Sequence, residues 1–226
     1  LATELLYDYD EEKANSVFAM EKLVDKYEDV LGSYLVKLSS LEMSHKDAQT
    51  VSTLLHNISD LERISDHARN IALAAKEKHD KDIDFSKKAK DELGVMCSAV
   101  NKVIEYAVKA VCDQDLYAAY EVEPLEEVVD QLRTKIKNRH VKRLQAGKCT
   151  IELGFIFTDL LTSLERISDH CSNIAVCLVQ VNDDNFETHE YLRTVKTSGQ
   201  EFDSEVEKFQ KEFPLPKKEE YKLDLA

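Results

Sequence analysis

The heptapeptide Leu-Glu-Arg-Ile-Ser-Asp-His stands at residues 61–67 and recurs without change at residues 164–170. The match continues as Asn-Ile-Ala at residues 70–72 and 173–175, at the same offset of 103. Self-similarity at a fixed spacing indicates a repeated structural unit. The chain is therefore interpreted as a duplication, and the fold has to accommodate two copies of one unit.

Apolar residues recur with helical spacing on both sides of the repeat. On the first helix they form a seven-residue pattern typical of helices packed lengthwise, at Val17, Met20, Val24, Tyr27, Leu31, Tyr34 and Leu38. Only 5 Gly and 3 Pro occur in 226 residues, so little interrupts long helices. We predict an all-α fold of antiparallel helix bundles, with helices at residues 10–41, 45–78, 85–113, 115–146, 150–182 and 185–212.

Local signals support three of these helices. Ser44 with Asp47 three residues later predicts a capping box at the start of the second helix. Gly147 follows a basic last turn and predicts the end of the fourth helix. Pro124 falls inside that helix, where it removes a backbone hydrogen bond.

The repeat divides the chain into three parts. Residues 1–80 form the first unit, residues 81–183 the second, and residues 184–226 an extra helix with a tail. The extra helix carries a spaced apolar face at Phe186, Leu192, Val195, Phe202, Val206, Phe209 and Phe213. We predict that this face packs back on the first unit or pairs with another copy of the chain.

Composition excludes some classes of protein. The formal net charge of -14 argues against nucleic acid as a partner. Five cysteines without CxxC spacing are typical of reduced, small apolar residues in a cytosolic protein. No stretch approaches the ~20 apolar residues of a membrane span. Because the chain begins at Leu1, we expect a fragment with further segments upstream.

Each unit holds two Glu-x-x-x-Asp pairs in the same phase beside the apolar pattern. The pairs are Glu21/Asp25 and Glu62/Asp66 in the first unit, and Glu126/Asp130 and Glu165/Asp169 in the second. Residues four apart share a helix face. If the two helices of a unit are neighbours, we expect their pairs to converge into a cluster of four carboxylates.

Such a cluster repels itself unless a cation neutralises it. Oxygen ligands favour hard divalent or trivalent ions, here iron, manganese, magnesium or calcium, and zinc is also compatible. A single acidic pair in a chain with 44 Asp and Glu is more simply explained by solvation. Four pairs in one phase, two of them inside an identical heptapeptide, favour metal sites.

Four further polar residues accompany the carboxylates. We expect His67 and His170 to support ligands or to pack between helices, and Asn70 and Asn173 to coordinate or to hydrogen-bond the clusters. A basic run interrupts the acidic surface at Lys135, Lys137, Arg139, Lys142 and Arg143. It is either a solvated helix face or a docking patch for a membrane surface or an acidic partner.

The heptapeptide at residues 61–67 and its twin resemble the signature of the PhoU family. More narrowly, Cys-Thr-Ile-Glu-Leu-Gly-Phe at residues 149–155, with the motif and its continuation at residues 165–175, resembles the PhoU-like domain at the C-terminus of bacterial sodium/phosphate cotransporters. The similarity extends from about residue 5 to 195. The family's first bundle begins with a helix of which only residues 1–7 could be the end.

This resemblance implies two three-helix bundles with multinuclear metal sites, and all eight carboxylates fall on the family's motif positions. It further implies a regulator of phosphate uptake or signalling. The implied partner is a membrane transporter domain of the same or another protein. The implied location is the cytoplasmic side of the membrane, with a tether through upstream segments.

Two alternatives and one question of assembly remain open at this stage. A di-iron carboxylate enzyme on a helical bundle would need Glu-x-x-His ligands, whereas the histidines here stand five residues after Glu. A metal-free helical interaction module would leave the acidic pairs solvated. No nucleophile–base arrangement or phosphate loop is visible, so we predict that the chain is not an enzyme. A homodimer is compatible with the sequence.

Overall fold

The computed structural model describes residues 1–182 and 200–217, and the regular structure within those ranges is entirely helical. A 3-10 turn at Glu4–Leu6 precedes helices α1 Glu11–Ser39, α2 His45–Asp80, α3 Lys87–Asp113, α4 Leu116–Gln145, α5 Ile151–Asn182 and α6 Gln200–Glu212. The predicted all-α fold is confirmed, and helices α1 to α5 lie within two residues of their predicted bounds. Residues 185–199 of the predicted last helix lie outside the described residues.

Two predicted helix ends are confirmed, one by its hydrogen bonds and the other by its backbone conformation. The Ser44 hydroxyl oxygen accepts from the Asp47 backbone N–H at 3.2 Å and donates to the Asp47 carboxylate at 2.7 Å. Gly147 has a φ of +62° after α4, a conformation that glycine adopts without strain. Helix α4 continues through Pro124, which is buried.

The helices are joined into two halves by one long contact. Helix α1 packs along α2, and α2 packs along α5. Helices α3, α4 and α5 pack on one another and form the second half. The α2–α5 contact therefore connects the two copies of the duplicated unit. Within the described part of the chain, no helix is long and apolar enough to span a membrane.

The apolar core is much deeper in the second half than in the first. Helix α3 packs against both α4 and α5, and α6 packs against α4. In the described residues, α1 has no such covering helix, and its predicted seam is largely exposed. The exposed seam residues are Met20, Tyr27, Leu31 and Tyr34. The expectation that the whole seam of the first helix is packed is therefore wrong for the described residues, among which α2 is the helix that packs along it.

The repeated heptapeptide makes this contrast quantitative. Leu164 is 0% exposed, whereas its counterpart Leu61 is 51% exposed. The same residue type in the same sequence is thus core in one half and surface in the other. Burial by tertiary packing, and not the local sequence, sets the contribution of each leucine to stability.

We expect Leu164→Ala to lower the free energy of unfolding by about 2–5 kcal/mol, the usual cost of a large-to-small change in a core. Leu61→Ala should lower it by less than about 1 kcal/mol, because most of that side chain already contacts water. Urea denaturation of the two variants measures both values. Equal losses would show that Leu61 is covered in solution.

Helix α6 packs on the second half. Phe209 is fully buried and lies edge-on to the Tyr106 ring of α3, with ring centroids 6.3 Å apart. Lys208 contacts the Glu121 carboxylate of α4 at 3.1 Å. The prediction that this helix packs back on the first unit is wrong for the described part, because α4 offers it both an apolar groove and a buried acidic partner.

Part of the predicted basic run points into the protein. The buried carboxylate of Glu92 on α3 pairs with Arg143 at 2.6 Å and with Arg139 at 3.1 Å, and Arg143 is only 4% exposed. These two arginines therefore belong to neither a solvated face nor a docking patch. Lys135, Lys137 and Lys142 remain exposed.

His140 lies beside this ion pair without hydrogen-bond partners of its own. Its ring stacks on Phe157 with centroids 4.5 Å apart, and neither ring nitrogen has a partner in the described structure. Burial, together with the positive charge of Arg143, lowers the pKa of His140 to about 4. The folded protein therefore holds this histidine neutral at pH values where the unfolded chain protonates it.

Because the folded pKa lies below the unfolded value, this histidine makes the free energy of unfolding fall as pH falls from about 6.5 towards 4. The loss reaches about 3 kcal/mol if the full shift is realised. The variant His140→Phe keeps the ring but cannot titrate, so its stability should fall less steeply over that range. Denaturant unfolding of both proteins at several pH values measures the difference. Parallel curves would contradict the assignment.

Candidate metal centre

Three of the predicted carboxylates meet between α4 and α5. Glu126 and Asp130 lie one turn apart on α4, and Asp169 faces them from α5. One oxygen from each lies within 4.8 Å of the others. Glu126 is buried, and the two aspartates are half-buried. We name these three residues the α4–α5 cluster.

Glu165, the fourth predicted member in this half, lies close by but is paired with arginines. Its side chain is 13% exposed, and its Oε2 is 3.5 Å from Arg133 and 4.0 Å from Arg166. That oxygen accepts no hydrogen bond from the described residues. Burial raises the pKa of Glu165; Arg133 opposes this shift, and Asp169 adds to it. The negative charge of Asp169 in the α4–α5 cluster therefore acts on Glu165, although Glu165 is not one of the three residues whose oxygens lie closest together.

In the first half the corresponding carboxylates are more open. Burial raises the pKa of Glu62, and the negative charges of Asp66, Glu28 and Asp25 raise it further. Glu21 is 3.8 Å from Arg69. Asp25 and Asp66 are exposed. Among the described residues, no three of these groups approach as closely as those of the α4–α5 cluster.

Two charge exchanges between the repeats contribute to this difference. At the offset of 105 that relates α1 to α4, Glu28 corresponds to Arg133. At the offset of 103 that relates α2 to α5, Arg69 corresponds to Ser172. The first half therefore carries an extra carboxylate and an arginine on Glu21. The second half carries an arginine on Glu165 instead.

Two acidic residues near the clusters were missed by the sequence interpretation. Glu28 stands seven residues after Glu21, the same heptad position, and is half-buried. Glu123 is buried and accepts a hydrogen bond from the Ser172 hydroxyl. Glu123 stands three residues before Glu126, so helical spacing alone could have placed both residues on the carboxylate face.

The histidines and asparagines of the motif lie on the α2–α5 contact. His170 Nδ1 donates to the Asp60 carboxylate at 2.8 Å, and the Asn173 amide donates to the same oxygen at 3.3 Å. The His67 and His170 rings stack with centroids 5.8 Å apart. These contacts link the two halves of the chain. Their predicted role in supporting metal ligands stays a prediction.

The α4–α5 cluster suits a hard cation by its donor set and charge. Three carboxylate oxygens in close proximity repel one another, and a bound cation would offset that repulsion. Oxygen ligands of this kind favour magnesium, calcium, manganese or iron. The buried Oε2 of Glu165, which accepts no hydrogen bond from the described residues, is a further donor beside them. The residues present therefore fit a metal ion, and ligation by the eight predicted residues remains a prediction.

A comparison with known families bears on this arrangement. The model of the PhoU domain matches residues 1–75 and 93–178, which include both copies of the repeat. The chain belongs to the PhoU family. The two matched segments place α1 and most of α2 in one copy of the domain, and most of α3, all of α4 and most of α5 in the other.

Named relatives of this PhoU protein come from several bacteria. The phosphate-specific transport system accessory protein PhoU homolog 1 of Thermotoga maritima is 29% identical over 161 residues, which are 70% of this chain and 67% of the relative. The PhoU homolog of Clostridium acetobutylicum is 27% identical over 177 residues, which are 76% of this chain and 78% of the relative.

Two solved structures share the fold. The crystal structure of PhoU from Pseudomonas aeruginosa superimposes with a TM-score of 0.75 at 23% identity, covering 81% of this chain and 88% of that one. The phosphate transport system regulatory protein PhoU from Streptococcus pneumoniae gives 0.69 at 20% identity, covering 82% and 86%. At these identities the likeness concerns the fold alone.

Proposed function

We propose that this PhoU domain regulates phosphate uptake or phosphate signalling and binds hard metal ions at its carboxylate clusters. The observation that carries the metal part is the convergence of Glu126, Asp130 and Asp169 within 4.8 Å. The regulatory part rests on family membership and on relatives named as accessory proteins of phosphate-specific transport systems. In this proposal the chain acts by binding and has no catalytic role.

In this proposal the α4–α5 cluster binds first. Its oxygens are already gathered, so binding requires little ordering of side chains. A cation supplies positive charge there, and the carboxylates of the two helices hold it from opposite sides. Glu165 is the next donor once Arg133 releases it. In the first half, Glu21, Asp25, Glu62 and Asp66 form a second and more open site, with Glu28 as a further donor.

The di-iron enzyme is the weaker candidate on the same geometry. Its ligand set needs histidines together with carboxylates. In the described residues, no histidine joins the α4–α5 cluster, and His170 Nδ1 donates to Asp60 instead. A cluster of carboxylates alone suits a hard cation bound between two helices better than it suits the redox chemistry of a di-iron site.

The finer proposal concerns the place of this chain in the cell. We propose that it forms the cytoplasmic part of a sodium/phosphate cotransporter, tethered through upstream segments, and that its partner is the membrane domain of the same or another protein. The resemblance of residues 149–155 and 165–175 to such domains supports this. Self-association through the exposed face of α1 is the alternative arrangement.

The metal proposal makes a two-sided prediction for Asp169→Asn. Without metal, the variant should be more stable than the wild type by about 0.5–1 kcal/mol, because one of three crowded charges is removed and the exposed ion pair with Arg166 that is lost contributes little. With saturating metal the order should reverse. A ligand at 100 times its Kd stabilises the folded wild type by about 2.7 kcal/mol, and the variant should lose most of that. Thermal unfolding with chelator and with added manganese or magnesium measures both.

Asp66→Asn is the matched control, because Asp66 holds the same position in the first heptapeptide but is exposed and lies outside the close trio. Its effects in both conditions should be smaller. Metal content of protein purified without chelator gives an independent readout. Equal metal content and equal stabilisation of the wild type and Asp169→Asn would remove the α4–α5 cluster as a site and favour the metal-free interaction module.

The regulatory role predicts a change in phosphate handling by the cell. Deletion of this region from the encoded protein should alter phosphate accumulation or its response to external phosphate. The double variant Asp130→Asn/Asp169→Asn should reproduce the change if metal is required. Uptake of labelled phosphate at low and high external concentration measures it. Unchanged uptake in the deletion, with the transporter present at normal amounts, would contradict the regulatory assignment.

A further inference from the structure

A cleft of about 420 Å³ opens between α2 and α5, on one side of the contact that joins the two halves. His67, Asn70 and Ser163 line its polar end. Leu73 and Leu160 contribute to an apolar wall. The cleft is distinct from the α4–α5 cluster, because none of the three cluster residues lines it.

The repeat shows what this cleft lacks. At the offset of 103, His67 and Asn70 correspond to His170 and Asn173. On the other side of the α2–α5 contact, the Asp60 carboxylate accepts hydrogen bonds from both His170 and Asn173. At the same offset of 103, the residue that corresponds to Asp60 is Ser163. The cleft therefore stands where the other side has a carboxylate.

The histidine in the cleft also lacks the partner that its counterpart has. His67 Nδ1 is buried and makes no hydrogen bond within the described residues. A buried polar atom without a partner is unfavourable and rare in folded proteins. His170 Nδ1, the corresponding atom, donates to Asp60 at 2.8 Å. An external acceptor at the same relative position would satisfy His67.

We propose that this cleft binds the carboxylate group of a small organic acid. His67 Nδ1 and the Asn70 amide donate to the carboxylate, as His170 and Asn173 donate to Asp60. The Ser163 hydroxyl is a third donor at the polar end. The apolar body of the acid lies against Leu73 and Leu160. A volume of about 420 Å³ leaves room for that body as well as the head group.

The charges around the cleft favour a monovalent anion over a divalent one. Glu77 lines the cleft, but Lys81 holds its carboxylate at 2.7 Å. Asp159 lies exposed at the rim and would repel a second negative charge. The charges that line the cleft therefore oppose a second negative charge on the ligand, so a monoanionic carboxylate fits better than a phosphate dianion.

The test is a titration of the full chain with butyrate at constant ionic strength, with chloride as the replaced anion. Ring signals of the seven histidines are followed by NMR. The His67 signals should move and saturate, while those of His140 should not move. Ser163→Asp places an internal carboxylate where Asp60 stands in the other half, so the apparent affinity for butyrate should fall by about tenfold or more. Ser163→Ala removes only the third donor and leaves the cleft open, so it should weaken binding much less than Ser163→Asp does.

The reciprocal variant Asp60→Ser gives an independent arm. It should open a second site, so that the His170 signals also respond to butyrate and the stoichiometry rises from one to two. Inorganic phosphate is titrated in parallel. A response of His67 to phosphate but not to butyrate would overturn the proposal, as would the absence of any saturable shift of His67. Equal binding by the wild type and Ser163→Asp, with no second site in Asp60→Ser, would overturn it too.

Discussion

The packing of α2 against α5 is the interaction on which the rest of the structure depends. Each of these helices carries one copy of the heptapeptide, and their contact is the place where the two copies meet. Small side chains allow a close approach: Ala72 and Ala75 on α2 and Ala175 on α5 are buried. The remaining helices pack outward from this pair, α1 on α2 and α3 with α4 on α5. The position of every carboxylate follows from that order.

A second constraint is the cost of gathering like charges in a partly dry space. The α4–α5 cluster holds three carboxylates at close range, and Arg166 pairs with one of them, Asp169, at 3.1 Å. Arginines reduce part of the repulsion in both halves, but at different positions: Arg133 and Arg166 contact Glu165, and Arg69 contacts Glu21. Duplicated sequences have thus diverged where electrostatics matters most, while the apolar positions of the motif have kept their identity.

The sequence was sufficient to predict where the helices begin and end, but it was not sufficient to predict which helices pack together. Helix bounds, the Ser44 cap and the Gly147 end follow from local chemistry, and structure confirms them. The acidic pairs follow from helical spacing, which brings Glu126, Asp130 and Asp169 to one place. The same reasoning placed α6 on the wrong half, because an apolar face specifies burial but not the surface that provides it.

The ion-pair partners of charged residues were also not predictable from the sequence. Arg143 reads as part of a basic surface run, yet it pairs with Glu92, a residue 51 positions away in the chain. Nothing local identifies that partner. Leu61 and Leu164 open the same heptapeptide and differ in burial because different helices lie over them. Tertiary contacts over long sequence separations decide both cases, and a single sequence carries no record of them.

The connections between helices also set the order in which the chain can fold. Helix α3 leads into α4 across Gln114 and Asp115 alone, and α4 meets α5 after five residues, so the second half is built from neighbouring segments. The α2–α5 contact instead joins positions such as Asp60 and His170, which are 110 residues apart. Closing so long a loop is slow compared with forming adjacent hairpins. During synthesis, α1 and α2 are therefore made first but find their main partner last, and the half of the molecule with the most exposed apolar surface spends the longest time without it.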